Sequence, residues 1–267
     1  MHLTLLVPTD GSAGAIVAAK YAADLGARLG AAITRALFVR DTRLWESLYL
    51  THPGELAPEF DLAIEVQRVL GEQARDVLMQ LQRLLPNVVT VVSTGLPAEV
   101  ICRYAGGADV IVMGRYGRRP WVRGGVGSTT DEVIRRAAHP VLLTPEHFQK
   151  VTRVVVAVNG SPSAQTALHL ASIWAAAGGW PLWVLAWGTE EEQAHLAAEV
   201  RAWIQRTSIT VQVSSGPQPP VLWEAVDGTD LVVVGTDEPG PMPAMTLGRL
   251  AEAAVRQTEC PVLLTRA

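Results

Sequence analysis

Apolar positions along this chain fall into two rhythms, and their alternation predicts the architecture. Short, mostly apolar runs occur at 3–7 (LTLLV), 32–39, 88–93, 110–113 and 141–144. Runs of this length without a regular polar face suit strands covered on both sides of a parallel sheet. Between them the spacing becomes that of a helix with one apolar stripe. Residues 15–30 carry it and stop at Gly30, and residues 60–85 carry it through Leu62, Val66, Val69, Ala74, Val77, Leu78, Leu81 and Leu85. Shorter helices are predicted over 98–105 and 128–138. Strand, helix, strand at these spacings is a βαβ unit, whose crossover is normally right-handed in an open parallel sheet. Residues 41–72 resist the pattern. Trp45, Tyr49, His52, Pro53, Gly54 and Pro58 predict an irregular, partly helical excursion there.

After residue 150 the pattern restarts, which signals an internal repeat. Residues 154–158 followed by Asn159-Gly160-Ser161 copy residues 5–9 followed by Asp10-Gly11-Ser12. LVVVG ending at Gly235 copies VIVMG ending at Gly114, and CPVLLT from Cys260 copies HPVLLT from His139. Asp10 to Asn159 is an offset of 149, whereas Gly114 to Gly235, Gly127 to Gly248 and Pro140 to Pro261 are offsets of 121. The first copy therefore holds 28 extra residues, which fall at about 41–71. The expected domains are 1–147 and 150–267. Their junction at 146–150 is too short for a flexible linker, so the two should pack closely.

Composition narrows the function. An apolar fraction of 49%, a charged fraction of 18% and a formal charge of only -4 fit a globular protein and argue against a general nucleic-acid or anionic-membrane binder. Cys102 and Cys260 offer neither a disulfide framework nor metal spacing, and the six histidines show no paired-ligand pattern, so no metal is expected. The chain enters its first strand without a basic leader, and a cytoplasmic location is the expectation. Residues 167–187 are long and uncharged, but Gly178, Gly179 and Pro181 break them midway. A helix ending at the glycine pair and a buried strand from Leu182 explain them better than a membrane span. Six of the eight tryptophans fall in the second domain, where core packing is the simpler role.

The candidate chemistry lies in residues 110–130, VIVMGRYGRRPWVRGGVGSTT. An apolar strand leads into a loop with Gly114, Gly117, Gly124, Gly125 and Gly127, then Ser128, Thr129 and Thr130 open a helix. Glycines let backbone N–H groups converge, hydroxyls add donors, and a helix N-terminus attracts anions. Arg115, Arg118, Arg119 and Arg123 add positive charge, and no acid occurs between Asp109 and Asp131. The stretch reads as a phosphate site.

The spacing Gly114-x-x-Gly117, nine residues, then Gly127-Ser128 resembles the signature of ATP-binding members of the universal stress protein family. Asp10 after the first strand, the Gly95-Leu96-Pro97 turn and the HPVLLT ending resemble that family too. The resemblance spans nearly the whole chain as two tandem domains. It implies an α/β fold, each domain an open five-stranded parallel sheet of order 3-2-1-4-5 with helices on both faces. Ligands of such sheets sit at the carboxyl ends of the strands where the order reverses, here between strands 1 and 4. The resemblance places adenosine near Thr9 and Asp10, with Val39 facing the adenine. It places the phosphates at Gly114, Gly117, Gly127, Ser128 and Thr129 or Thr130, with Met113 also among the nucleotide-binding residues. Arg115 and Arg118 are added on charge alone, with ordinary solvation as the alternative. For Asp10, helix capping is an equal alternative to a site role.

In the second copy Glu238 replaces Gly117, Arg249 replaces Ser128 and Asn159 replaces Asp10. Two carboxylates, Asp237 and Glu238, and three prolines would oppose phosphate there, so one nucleotide per chain is expected. The functional expectation is a stress-response regulator that binds ATP, with or without magnesium. Slow ATP hydrolysis is the alternative, although the loop lacks a GxxxxGK[ST] lysine and a clear base beyond Asp10. A nucleotide-independent interaction protein is the third reading. Internal pairing of the edges at 141–144 and 262–265 would make the tandem chain a pseudo-dimer, and a homodimer of two chains stays open.

Overall fold

A computed structural model describes residues 3–43, 56–85, 87–118, 125–187, 211–216, 225–236 and 247–266, with positions 191, 194–196, 198, 200 and 223 beside them. In the first half, β1 (Leu3–Thr9), α1 (Ala13–Leu29), β2 (Ala31–Asp41), α2 (Leu56–Leu84), β3 (Val88–Gly95), α3 (Pro97–Ala105), β4 (Val110–Gly114), α4 (Ser128–Arg136) and β5 (Val141–Thr144) follow one another. The second half runs through β6 (Arg153–Val158), α5 (Pro162–Gly178), β7 (Leu182–Trp187), β8 (Val211–Gly216), β9 (Asp230–Gly235), α6 (Arg249–Gln257) and β10 (Val262–Thr265). The elements of the first half fall where the apolar rhythms predict them, and β8 is a strand that no assigned apolar run predicts. The expected excursion resolves in part into α2, which begins at Leu56, while 44–55 lie outside the described residues.

Local chemistry sets the boundaries, and it repeats. Ser12 caps α1 by accepting a hydrogen bond from the Ala15 N–H, and Ser161 caps α5 from the Ala164 N–H. Gly30 and Gly179 end the same helices at φ of 71° and 66°, left-handed values that a side chain would disfavour. From Gly30 to Gly95 the chain advances 65 residues, and from Gly179 to Gly216 it advances 37. The 28-residue difference lies between the second and third strands of each half, and α2 occupies much of it.

The expected strand order appears twice and then fuses. All ten strands form one sheet, β3-β2-β1-β4-β5-β10-β9-β6-β7-β8. Every pairing within a half is parallel, and the one between halves, β5 with β10, is antiparallel, with Leu142 opposite Leu263. Internal pairing thus covers the edges that β5 and β10 would otherwise expose. One apolar layer, under α1, α2 and α5, runs from Leu5 and Val112 through Leu142 to Val156 and Val233; the other, under α3, α4 and α6, runs from Leu6 and Ile111 to Val234 and Leu264. Both layers cross the seam, so the halves share their cores. The junction is fixed as well: the Gln149 N–H donates to the Tyr21 hydroxyl at 3.1 Å, and Phe148 packs edge-on to the Tyr21 ring. Trp174, Trp180 and Trp223 are buried, in keeping with a packing role.

Candidate functional site

A cavity of about 240 Å³ opens at the carboxyl ends of β1 and β4, where the strand order reverses. Two kinds of lining meet in it. Pro8, Leu37, Val39, Ile101 and Met113 are apolar, whereas Thr9, Asp10, Ser12, Arg118 and the start of α4 are polar. Such a mixture suits a ligand with a flat apolar body and an anionic tail. The volume lies below the roughly 300 Å³ at which small-molecule sites usually begin, so a tail would continue onto the loop.

All the sequence-predicted residues except Arg115 line this cavity: Thr9 and Asp10 from the first strand's end, Val39 from the second, Met113, Gly114, Gly117 and Arg118 from the fourth and its loop, and Gly127 to Thr130 at the helix start. Asp10 is the organiser of the loops rather than a cap. One carboxylate oxygen accepts from the Ser12 N–H at 2.9 Å, and the other accepts from the Arg118 N–H at 3.2 Å, 108 residues away. The capping alternative for Asp10 is therefore corrected: Ser12 caps α1. The Thr130 hydroxyl donates to the Gly114 carbonyl at 3.0 Å and ties α4 to the end of β4. Arg118 lines the cavity, and its guanidinium lies beside the Gln73 carboxamide of α2.

Arg115 is the second correction. Its side chain is buried, with 7% exposure, and turns away from the cavity into the second half. There it donates to the Thr258 and Cys260 carbonyls, the latter at 2.7 Å, and to the Thr258 hydroxyl at 3.2 Å. Burial lowers its pKa below the ordinary arginine range. The physical reason for the difference is the seam: β10 begins opposite the end of β5, and the turn between α6 and β10 supplies carbonyl acceptors that a lone domain would lack.

The glycines separate into two kinds. A Cβ on Gly114 would stand 2.8 Å from the Gly14 backbone, and one on Gly235 would stand 2.4 Å from the Ser163 backbone. These glycines let a helix press on a strand end, and both halves need them. Gly127 differs. Its φ of -60° suits any residue, and a Cβ there would meet nothing closer than 3.5 Å. Among the described residues nothing requires a glycine at 127, yet the position lines the cavity and begins α4. That helix has no side-chain cap, so its first amides, at Ser128 and Thr129, point outward without intrahelical partners.

Tyr116, Leu37, Ile101, Pro8, Ser12 and Ala15 also line the cavity and were not predicted. Leu37 carried a signal, since it lies two positions before Val39 and shares its face of the strand. Tyr116 sits within the glycine spacing. Ile101 reaches the cavity only through the packing of α3, which no local pattern reveals. In the second half, the Asn159 carboxamide oxygen turns back to the Ser161 N–H and hydroxyl. Gly248 holds φ at 77°, and Asp237 and Glu238 lie outside the described residues.

Comparison with known proteins places this geometry in a lineage. The family model described as "Universal stress protein family" matches residues 1–145 and 184–266. Universal stress protein Slr1230 of Synechocystis sp. is 25% identical over 98% of this chain and 99% of its own length. Universal stress protein MJ0531 of Methanocaldococcus jannaschii is 28% identical, covering 54% of this chain and 82% of its own. The crystal structure of a universal stress protein from Archaeoglobus fulgidus superposes with a TM-score of 0.78 at 22% identity, over 98% of each chain, which supports the fold.

Proposed function

Because the chain belongs to the universal stress protein family, we propose that it is a regulatory protein that binds one adenine nucleotide, ATP, in the cavity of its first half. The observation that carries this reading is Gly127. A glycine that neither backbone angle nor packing requires, at the start of an uncapped helix and on a cavity wall, fits the close approach of an anion. The apolar residues Val39, Leu37 and Met113 suit adenine, and Arg118 with the hydroxyls of Ser128 and Thr129 suits the phosphates. Any magnesium would arrive with those phosphates, since no three His, Cys, Asp or Glu side chains group to hold a metal among the described residues.

Binding is favoured over hydrolysis by the state of Asp10. Both its oxygens accept backbone hydrogen bonds, so the one acid among the described lining residues is engaged in shaping loops rather than placed to activate water. One site per chain follows from the second copy, where Arg249 and Asn159 stand for Ser128 and Asp10. The test is to denature the purified protein, identify released nucleotide, and titrate the stripped protein with ATP. A stoichiometry near one supports the reading; no binding by either route overturns it. Stoichiometry near two would reject the assignment to the first half alone.

A further inference from the structure

Arg115 joins two regions that no local feature connects. Its backbone belongs to the cavity loop: the Arg115 N–H donates to the Thr144 carbonyl at 3.2 Å, and its carbonyl accepts from the Gly127 N–H at 2.7 Å. That second bond closes the loop by tying its first residue after β4 to the residue that starts α4. Its side chain belongs to the other half, held by the carbonyls of Thr258 and Cys260 and by the Thr258 hydroxyl. Thr258 ends α6, so the guanidinium also sits at the negative pole of a helix. The Thr258 hydroxyl is itself fixed, donating to the Ala254 carbonyl at 2.7 Å. A planar fork with several donors can hold three acceptors at once, which a lysine cannot do with the same geometry.

We propose that Arg115 is a positioning residue through which the second half sets the shape of the nucleotide loop, so that nucleotide affinity depends on Thr258 and Cys260, residues that line no part of the cavity. The proposal rests on the nucleotide reading for its affinity arm. The reasoning is mechanical. The Gly127 N–H is fixed by the Arg115 carbonyl, and the position of that carbonyl is fixed by a side chain buried at the seam. The first amides of α4 follow from Gly127. This gives the degenerate half a function in the site even where it binds nothing: it supplies the acceptors for the anchor.

A natural control exists. Arg266, after β10, reaches the opposite way and donates to the Ile134 and Arg135 carbonyls at the far end of α4, the former at 2.9 Å. It bridges the same seam without touching the loop. The experiment compares the full-length wild type with Arg115→Gln, Arg115→Lys, Thr258→Val and Arg266→Gln. Each is checked for folding by circular dichroism, then titrated with ATP and followed by amide hydrogen exchange at Gly127 without nucleotide. The expected result is ATP binding about tenfold weaker in Arg115→Gln, less affected in Arg115→Lys and Thr258→Val, and changed less than about twofold in Arg266→Gln. Gly127 exchange should speed up in the same order. Equal effects of Arg115→Gln and Arg266→Gln would mean that only the seam matters and would overturn the proposal, as would unchanged Gly127 exchange in a folded Arg115→Gln. If wild type binds no ATP, the nucleotide reading falls, and the exchange measurement still decides whether Arg115 positions the loop.

Discussion

The glycines that bound the loops after β4 and β9 share one sequence pattern, and the two halves use them differently. Gly114 and Gly235 do the same thing in both: each lets the first helix of its half, α1 or α5, press against the strand end, with no room for a Cβ. Gly127 and Gly248 do not correspond in this way. Gly248 adopts φ 77° and ψ 152°, a region nearly closed to residues with side chains, so its identity follows from backbone conformation. Gly127 adopts φ -60° and ψ 148°, open to any residue, so its identity calls for another cause. The difference teaches that a repeated glycine has to be assigned position by position. One copy of a motif can keep a glycine for folding while the other keeps it for a ligand.

The largest expected effect breaks this comparison if it fails. Gly127→Val should leave the thermal midpoint near that of wild type and weaken ATP binding by about 100-fold or more, roughly 2.7 kcal/mol, because the added side chain enters the cavity. Gly248→Val should do the reverse, losing about 1–3 kcal/mol of stability while ATP binding in the first half stays intact. Calorimetric titration beside thermal unfolding separates the two. If Gly127→Val unfolds the protein and Gly248→Val does not, the assignments are exchanged.

Next in size are Gly114→Ala and Gly235→Ala. Each forces a Cβ into backbone at 2.8 Å and 2.4 Å respectively, and overpacking of this kind costs about 1–3 kcal/mol. Chemical denaturation of both variants should show similar losses, and a neutral Gly235→Ala would remove the common folding role. Asp10→Ala should then weaken ATP binding about tenfold with a smaller loss of stability, since it deletes the bonds to the Ser12 and Arg118 amides. An Asp10→Ala protein with wild-type affinity would show that the tie between the loops is immaterial to the site.

Much of this was legible in the chain, for physical reasons. Fully covered strands need unbroken apolar runs, and Gly30 and Gly179 mark helix ends because left-handed backbone favours glycine. The offsets of 149 and 121 place the inserted segment from the sequence alone. The glycine loop reads as an anion site from its own chemistry, Arg115 and Arg118 from charge alone, and the strand order and the adenine-side residues from the family resemblance. Arg115 was misread because its charge was visible and its direction was not. Which way it turns depends on β5 meeting β10, a contact between positions more than a hundred residues apart. Asp10 and Ser12 both suit a cap, and only the hydrogen bonds divide the roles between them.

The smallest effect sharpens the account of the seam. Burial first of all raises the Cys260 thiol from 9.0 to about 11, against the opposing influence of Thr258 and Arg115. A raised pKa in the folded state means that folding favours the protonated thiol. Its contribution to stability is complete below about pH 9 and is lost as pH rises toward 11. Thiol labelling at pH 8 should therefore leave Cys260 unmodified while Cys102, only partly buried, reacts first. Faster labelling of Cys260 in Arg115→Gln than in wild type would report the seam opening, and equal rates would show that it stays closed.

The antiparallel meeting of β5 and β10 has one more consequence. Strands of the two halves run in opposite directions, so the carboxyl ends of β1 and β4 emerge at one rim of the sheet and those of β6 and β9 at the other. A pseudo-dimer of equal halves would present the same face to visitors from either side. The candidate cavity at β1 and β4 lies at the first of these rims, so a ligand of the first half would be met from that side. A protein that senses whether the cavity is filled has a single direction of approach, and a second chain docked at the far rim would leave that approach open.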